Sequence, residues 1–266
     1  MATDAGWSLR LPKEEKVIYR GALTSEGASV GGFAGPYPAP NVAGFLAAIV
    51  THAVIADSAQ ARQRQQAQEN ADRVLSHYPV LKEFRHNELM QKGLEKVSAG
   101  GAAKLVAAAE KPAAGWLIDS TPVFILTQDQ RAIILDNAIV IYPPGAAETA
   151  AYQNVIRVVS RPQTGDDVFA FWSAGEGAAL KEESAGLLAM SLDIALAEVT
   201  GTLGGENAAQ KTFRYPEGGI ERMERGQLVA ERCDRLVIRN LRGWLMSIPA
   251  RQPAPDCAGA TTTPKS

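Results

Sequence analysis

Three sets of side chains in this sequence have types and spacings that could support chemistry: histidines near carboxylates, a pair of aspartates, and two cysteines. Glu83 and His86 stand three residues apart, the E-x-x-H spacing with which di-iron bundle proteins ligate metal from one helix face. That chemistry needs a second such motif, and neither His52 nor His77 has a glutamate three residues before it. We therefore interpret Glu83 and His86 as part of a solvated helix face and predict no metal site.

His52 lies in an apolar stretch, where a buried imidazole could serve as a base or a ligand. A hydrogen-bonded histidine in or near the core is the simpler interpretation. The chain has three histidines and no G-x-S-x-G elbow, so a serine hydrolase is disfavoured.

Asp119 and Asp136 could form a carboxylate pair of the glycosidase type. They lie in two β-rich runs, Trp116 to Leu126 and Ala132 to Tyr142, which flank a short polar loop and predict a hairpin. A turn centred near residues 128–131 places Asp119 opposite Val140 rather than Asp136. The two carboxylates are therefore expected to be well separated, with ordinary strand-end or edge roles.

Cys233 and Cys257 are the only cysteines, and no nearby histidine or second cysteine pair completes a zinc site. A disulfide between them would fasten the C-terminal tail to the sheet, contribute about 3 kcal/mol through loop closure, and suit an oxidising envelope compartment. Two unpaired thiols are the alternative.

Glycine-rich and arginine-rich segments give weaker signals. The glycines at 31–35 and 201–205 lack the spacing of a phosphate-binding loop, so we interpret both segments as linkers and predict no cofactor. Arginines alternate with acidic residues between Arg222 and Arg242, which favours cross-strand ion pairs. The alternative is an anion-binding or partner surface that includes Arg232, Arg235 and Arg239.

The first part of the chain is expected to hold a strand and a helical region. Residues 1–40 contain a short strand, Lys16 to Arg20, followed by an arm rich in glycine and proline. Residues 41–112 predict a long helix from Asn41 to about His77, a second from Val80 to about Val97, and a short third from Ala102 to Glu110. The long helix is apolar in its first half and polar in its second, and Phe45, Leu46 and Ile49 offer a partner-binding surface.

Strand-like patterns dominate residues 113–250. After the predicted hairpin come a strand from Tyr152 to Ser160, a strand from Val168 to Trp172, and a helix from Ala178 to about Val199 that covers one sheet face. Lys211 to Tyr215 and two runs between Glu221 and Ile248 complete the strands, and residues 251–266 are expected to be a disordered tail. The predicted fold class is α+β, with a long N-terminal helical region packed on a mostly antiparallel meander and one further covering helix.

Composition excludes several classes of protein. A net charge of −2 and a pI near 6.0 give no attraction to nucleic acid, and no apolar run is long enough for a transmembrane helix. The first ten residues lack the pattern of a signal peptide. We expect either a cytoplasmic protein or, by a slight preference, a periplasmic or outer-envelope protein whose signal or lipoprotein leader is absent from this sequence.

The leading hypothesis is a non-enzymatic envelope protein that binds a protein partner or assembles with its own copies. The first alternative is a hydrolase-type enzyme whose site is assembled from distant loops, for which a pocket holding a histidine beside a carboxylate would be the sign. The second is a membrane-surface protein that inserts residues 42–55 into lipid.

Overall fold

The structure is a computed structural model that describes residues 6–23, 59–99, 103–112, 114–146, 149–205 and 208–251. Three α-helices are found in these ranges: α1 Ala59–Ala71, α2 His86–Leu94 and α3 Val168–Val199. The strands are β1 Trp7–Arg10, β2 Ile18–Gly21, β3 Ala103–Val106, β4 Trp116–Leu126, β5 Ile133–Tyr142, β6 Tyr152–Val159, β7 Gln210–Glu217, β8 Ile220–Arg232, β9 Arg235–Asn240 and β10 Leu245–Pro249.

All ten of these described strands belong to one mixed sheet. Its order is β3-β1-β4-β5-β6-β10-β9-β8-β7, and β2 also pairs with β4. Strand β4 is long enough to take two parallel partners end to end: β1 pairs with residues 116–119 and β2 with residues 123–126. Pro122 falls between them, at a place where neither partner strand needs its missing backbone N–H.

The predicted fold class is wrong, because a large mixed sheet and not an N-terminal helical region dominates the described residues. The sheet is not a simple antiparallel meander either. The pairs β1–β3, β1–β4, β2–β4 and β6–β10 are parallel. Parallel pairs join segments far apart in the chain, so the local alternation of side chains carries no sign of them.

The predicted helices between residues 41 and 97 also need correction. Residues 41–58 lie outside the described ranges, and the described part is α1 followed by 3₁₀ turns at Asp72–His77. The predicted second helix is divided into a 3₁₀ turn, Pro79–Lys82, and α2. The chain is extended at Arg85, where it forms a β-bridge with Lys16, and this contact with the N-terminal segment interrupts the helix.

Two shorter segments have the opposite structure to the one predicted. The alanine-rich segment Ala102 to Glu110 contains β3 instead of a helix, because it pairs in parallel with β1. Val168 to Trp172, predicted as a strand, is the first part of α3, and the Asp167 side chain caps it by accepting from the Ala170 N–H at 2.8 Å. Helical geometry breaks at residues 174–177, and the helix continues from Ala178 to Val199.

One face of the sheet packs against α3, with α2 beside it. Most of this interface is apolar, but it contains a closed polar chain: Ser120 donates to the Asn137 Oδ1 atom, and the Asn137 amide donates to Ser191 on α3, both at 2.9 Å. All three side chains are buried and hydrogen-bonded, so the chain fixes the helix against the sheet without an unsatisfied polar group.

The second face of the sheet is partly covered by the sheet itself, because the β7–β8 hairpin turns back over it. Tyr215 of β7 packs in one cluster with Ile134 of β5 and Val159 of β6, although β7 is the last strand in the sheet order. The tip of the hairpin reaches the β4–β5 turn, where the Gly219 N–H donates to Asp129 at 2.5 Å. The hairpin is therefore held over the second face at its tip.

Candidate functional site

The predicted partner surface is not assembled in the described part of the protein. Phe45, Leu46 and Ile49 lie outside the described residues. Arg232 is exposed at the end of β8, whereas the Arg235 guanidinium donates to the Ser247 hydroxyl at 2.8 Å, and burial lowers the pKa of Arg235 to about 10.

Arg239 is engaged as well, in an ion pair with Glu198 of α3 at 2.7 Å. Two of the three predicted arginines are thus bound within the fold, whereas Arg232 is exposed. Cross-strand ion pairs, the other interpretation of this segment, do occur: Arg222 pairs with Glu217 at 2.9 Å and Arg214 with Glu221 at 3.0 Å.

Glu83 and His86 do not share a helix face. Glu83 is exposed and precedes α2, whereas the first residue of α2, His86, is 3% exposed. Burial lowers the pKa of His86 to about 4, and no described residue forms a hydrogen bond with its Nδ1 atom. Within the described ranges there is no group of three His, Cys, Asp or Glu side chains that could hold a metal ion.

Asp119 and Asp136 lie on the second face of the sheet, each neutralised by its own arginine. The predicted register is confirmed, since Asp119 pairs with Val140 across β4 and β5. Arg10 donates to both oxygens of Asp119 at 2.7 and 2.6 Å. Each of the two carboxylates accepts two hydrogen bonds from its own arginine, so neither aspartate is free to act as an acid or a base.

The second pair, Asp136 and Arg157, is a direct cross-strand pair on β5 and β6, with both bonds at 2.6 Å. The Arg157 guanidinium also lies 5.9 Å from the centre of the Trp244 ring. Burial raises the pKa of the neighbouring Tyr215 hydroxyl well above its usual value, so this phenol stays protonated at neutral pH. The two Asp–Arg ion pairs and the neutral Tyr215 hydroxyl therefore stabilise the fold and do not provide a reactive group.

A cleft of about 470 Å³ lies where α2 meets the interruption in α3. Its lining carries both signs of charge, and Lys181 forms an ion pair with Glu88 at 3.2 Å within it. Neither His77 nor His86 is part of the lining. A histidine beside a carboxylate, which would favour the hydrolase hypothesis, is therefore not found in this cleft, and His52 lies outside the described residues.

The β7–β8 hairpin exposes two large apolar side chains. Gly218 and Gly219 form its two-residue turn, with Gly218 at a φ of +63°, as a type II′ turn requires of its first glycine. Met223 is 60% exposed and Ile220 is 52% exposed. These values are high for apolar side chains on a strand pair that is otherwise rich in charge.

The outer edge of β7 is paired with none of the described strands. Glu217 and Ile220 flank the turn and form the first hydrogen-bonded pair, so the backbone of every second residue counted from Glu217 faces β8. The backbone groups of Gln210, Thr212, Arg214 and Pro216 face outward, and no described residue bonds to them. Pro216 has no N–H, so the edge offers donors only from Gln210 to Arg214.

Comparison with known proteins identified no relative of this chain. No family model, curated protein or solved structure matches the chain. Among the described helices, none is long and apolar enough to cross a membrane.

Sequence reasoning identified β7 only as a strand from Lys211 to Tyr215 and missed its hairpin. The signal was present, because Gly218 and Gly219 stand between two alternating runs with no other residue in the turn. Counting outward from a two-residue turn gives the orientation of each backbone group. What the sequence could not show is that β7 is the last strand of the sheet.

Proposed function

We propose that this protein is a non-enzymatic binding protein of the cell envelope, and that it binds its protein partner by accepting an extended strand along the outer edge of β7. The observation that carries this proposal is the row of outward N–H and C=O groups on β7 from Gln210 to Arg214. When a partner adds a strand to a sheet edge, hydrogen bonds to these backbone groups provide the affinity. Contacts with alternating side chains provide the specificity.

The edge at β2 provides an informative contrast. Its terminal residue, Gly21, is engaged on both backbone atoms: its N–H donates to Asp72 at 2.8 Å and its C=O accepts from the Gln68 amide at 3.1 Å. Side chains from α1 and the following turn thus protect the end of that edge, as is usual in natural sheets. Strand β7 carries Lys211, Arg214 and Pro216, but no described side chain bonds to its outward backbone groups.

The hairpin is also positioned firmly enough to act as a template. Its tip is bonded to Asp129, whose two carboxylate oxygens accept hydrogen bonds from the Thr127 hydroxyl, the Arg131 N–H and the Gly219 N–H. These bonds lower the pKa of Asp129 although burial opposes the shift, so the anchor remains charged at neutral pH. A strand edge that is already ordered loses little entropy when a partner binds.

Placement in the envelope is supported by the two cysteines. Cys233 stands in the two-residue turn between β8 and β9, and the Ala250 N–H donates to Asp234 of the same turn at 2.7 Å. The chain therefore leaves β10 beside Cys233, seven positions before Cys257. Cys257 lies outside the described residues, and the predicted disulfide stays a prediction that suits an oxidising compartment.

The test compares two substitutions at one position in the native host. Thr212→Pro removes an outward N–H, whereas Thr212→Val keeps it with nearly the same side-chain shape. Chemical cross-linking of envelope extracts is expected to give a defined complex with the wild-type and Thr212→Val proteins and none with Thr212→Pro. Circular dichroism shows whether each variant is folded. A wild-type protein that remains uncomplexed in extracts, or a complex that survives Thr212→Pro, contradicts the proposal.

A further inference from the structure

We infer that the β7 edge selects an acidic strand: an extended segment of a partner protein that carries one carboxylate beside Lys211 and another beside Arg214. The inference rests on the proposed function, since it names the chemistry of the partner at the same edge. Three observations support it: the charges that surround β7, their ion pairs within the fold, and the sides of the hairpin on which they lie.

The exposed charges of β7 are all positive. Lys211 and Arg214 are exposed, whereas the one acidic residue of the strand, Glu217, is buried and forms an ion pair with Arg222 at 2.9 Å. A strand added along this edge therefore meets exposed cations and no exposed carboxylate of β7.

The two cations of β7 lie on opposite sides of the hairpin. Successive side chains of a strand alternate in direction, so Lys211 lies on the same side as Tyr215, which packs against the second face of the sheet. Arg214 lies on the outer side, which faces away from that second face. On the inner side Glu224 stands directly opposite Phe213, but neither Glu224 nor Lys211 forms an ion pair with a described residue.

On the outer side of the hairpin the cations outnumber their carboxylate partners. Arg214 pairs with Glu221 at 3.0 Å, but Glu221 also pairs with Arg251. Arg225 is exposed on β8 opposite Thr212 and forms no ion pair with a described residue. One carboxylate thus serves two arginines while a third arginine has none, so a partner carboxylate on this side meets an unbalanced positive charge.

The spacing of the cations determines what the partner strand must carry. Residues of an added strand stand beside successive residues of β7, so the positions beside Lys211 and Arg214 are three apart and point to opposite sides. An exposed lysine on an edge strand hinders the addition of other strands, because its charge loses water without gaining a partner. Opposite charges on neighbouring strands instead stabilise the pair. Lys211 and Arg214 therefore discriminate among strands in favour of an acidic one.

The experiment measures the binding of three short peptides to the full chain by fluorescence anisotropy, with the same uncharged dye on each peptide. All three are built from threonine and valine, which favour strands, and they differ only at two positions three apart, which hold glutamate, glutamine or lysine. The glutamate peptide is expected to bind about tenfold more tightly than the glutamine peptide, since each cross-strand ion pair contributes about threefold. The lysine peptide should bind more weakly than either, and added salt should reduce these differences.

Protein variants test whether Lys211 and Arg214 cause the preference. The double variant Lys211→Glu, Arg214→Glu is expected to bind the lysine peptide more tightly than the glutamate peptide. Its matched control, Arg73→Glu with Lys82→Glu, changes the net charge equally at two exposed positions in the 3₁₀ turns and should keep the wild-type order. Thr212→Pro removes an outward N–H and should weaken the binding of all three peptides. Circular dichroism and the unfolding midpoint show whether each variant is folded.

Three results would overturn the inference: equal affinities for the glutamate and glutamine peptides, a folded double variant that keeps the wild-type order, or a glutamate peptide that binds Thr212→Pro as tightly as wild type. The outcome is separable from that of the proposed function. Equal affinities that are lost with Thr212→Pro would show that the edge accepts strands regardless of charge, which overturns the inference and supports the proposed function. A glutamate peptide that does not bind, while the complex in host extracts is still lost with Thr212→Pro, has the same meaning.

Discussion

The buried histidine at the start of α2 predicts a loss of stability at mildly acidic pH. His86 is 3% exposed, and its ring lies against the segment that joins β1 to β2: its backbone N–H donates to the Glu15 carbonyl at 2.8 Å. Burial lowers its pKa from 6.5 to about 4, and the nearby Glu14 carboxylate opposes this shift only in part. The folded protein therefore holds His86 neutral under conditions in which the unfolded chain protonates it.

The size and sign of the effect follow from proton linkage. Lowering a pKa from 6.5 to about 4 separates the two protonation states by about 3 kcal/mol. Above pH 6.5 both states are neutral and nothing is lost. As pH falls the unfolded state binds the proton first, so the free energy of unfolding decreases by about 2 kcal/mol at pH 5 and approaches its full loss below pH 4.

Urea unfolding of wild type and His86→Gln at a series of pH values measures this loss. Glutamine does not titrate and keeps a side-chain amide near the ring position. The difference in unfolding free energy between the two proteins should be constant above pH 7 and shift by about 2 kcal/mol in favour of the variant by pH 5. Carboxylate titrations common to both proteins cancel in the difference.

His77→Gln is the matched control, because His77 is exposed at the end of the 3₁₀ turns. Removing an imidazole from this exposed position should change the free energy of unfolding by less than about 0.5 kcal/mol at neutral pH. A flat difference for His86→Gln, or one that favours wild type on acidification, would refute the assignment of His86 as a buried neutral imidazole.

Three further changes test the second sheet face and its turns. Gly218→Ala should cost at least about 2 kcal/mol of unfolding free energy, because Gly218 has a φ of +63° and an added Cβ would lie 2.6 Å from Asp129. Asp136→Asn should cost about 2 to 3 kcal/mol, since it leaves the charge of the Arg157 guanidinium half-buried without its partner. If the predicted disulfide is present, a reductant should lower wild-type stability by about 3 kcal/mol and leave Cys233→Ser unchanged.

Each of these changes has an internal control. Gly145 has a φ of +73°, and no described atom lies within 4 Å of where its Cβ would be, so Gly145→Ala should show the backbone cost alone, about 1 kcal/mol. Glu15→Gln removes a partner from the exposed Arg85 pair and should cost less than about 1 kcal/mol. Equal costs at the two glycines or at the two ion pairs would contradict the packing described for the second face. Full alkylation of unreduced native protein would exclude the disulfide.

Local sequence patterns were sufficient where the structure depends on neighbours in the chain. The β4–β5 hairpin and its register were predicted correctly, because alternating side chains and a short polar loop leave few alignments. The strands β9 and β10 were visible for the same reason. Once the β5–β6 pairing is known, the ion pair of Asp136 and Arg157 follows from the register, since the two residues are direct partners.

Prediction failed where distant segments decide the local structure. Ala103–Val106 is rich in helix-forming residues, yet it forms β3 because β1, which is far away in the chain, offers a parallel partner. At residues 83–85 the helix is interrupted by contact with Lys16, and α3 begins earlier than predicted because the Asp167 cap was not recognised. In each case the competing contact is invisible to a window of neighbouring residues.

Substitutions at the two ends of the β7–β8 hairpin are expected to differ in what they change: stability at the tip, and the proposed association at the base. At the tip, Asp129 binds Gly219 and fits closely around Gly218, so changes there should be seen mainly in the unfolding free energy. At the base, Thr212 and Arg214 are exposed and their outward backbone groups bond to no described residue, so changes there should be seen mainly in association. Because the tip fixes the path of β7 over the second face, the anchor at Asp129 also keeps the edge in one conformation before a partner arrives. The proposal of strand addition at this hairpin therefore rests on a firmly held strand edge whose outward backbone groups bond to no described residue.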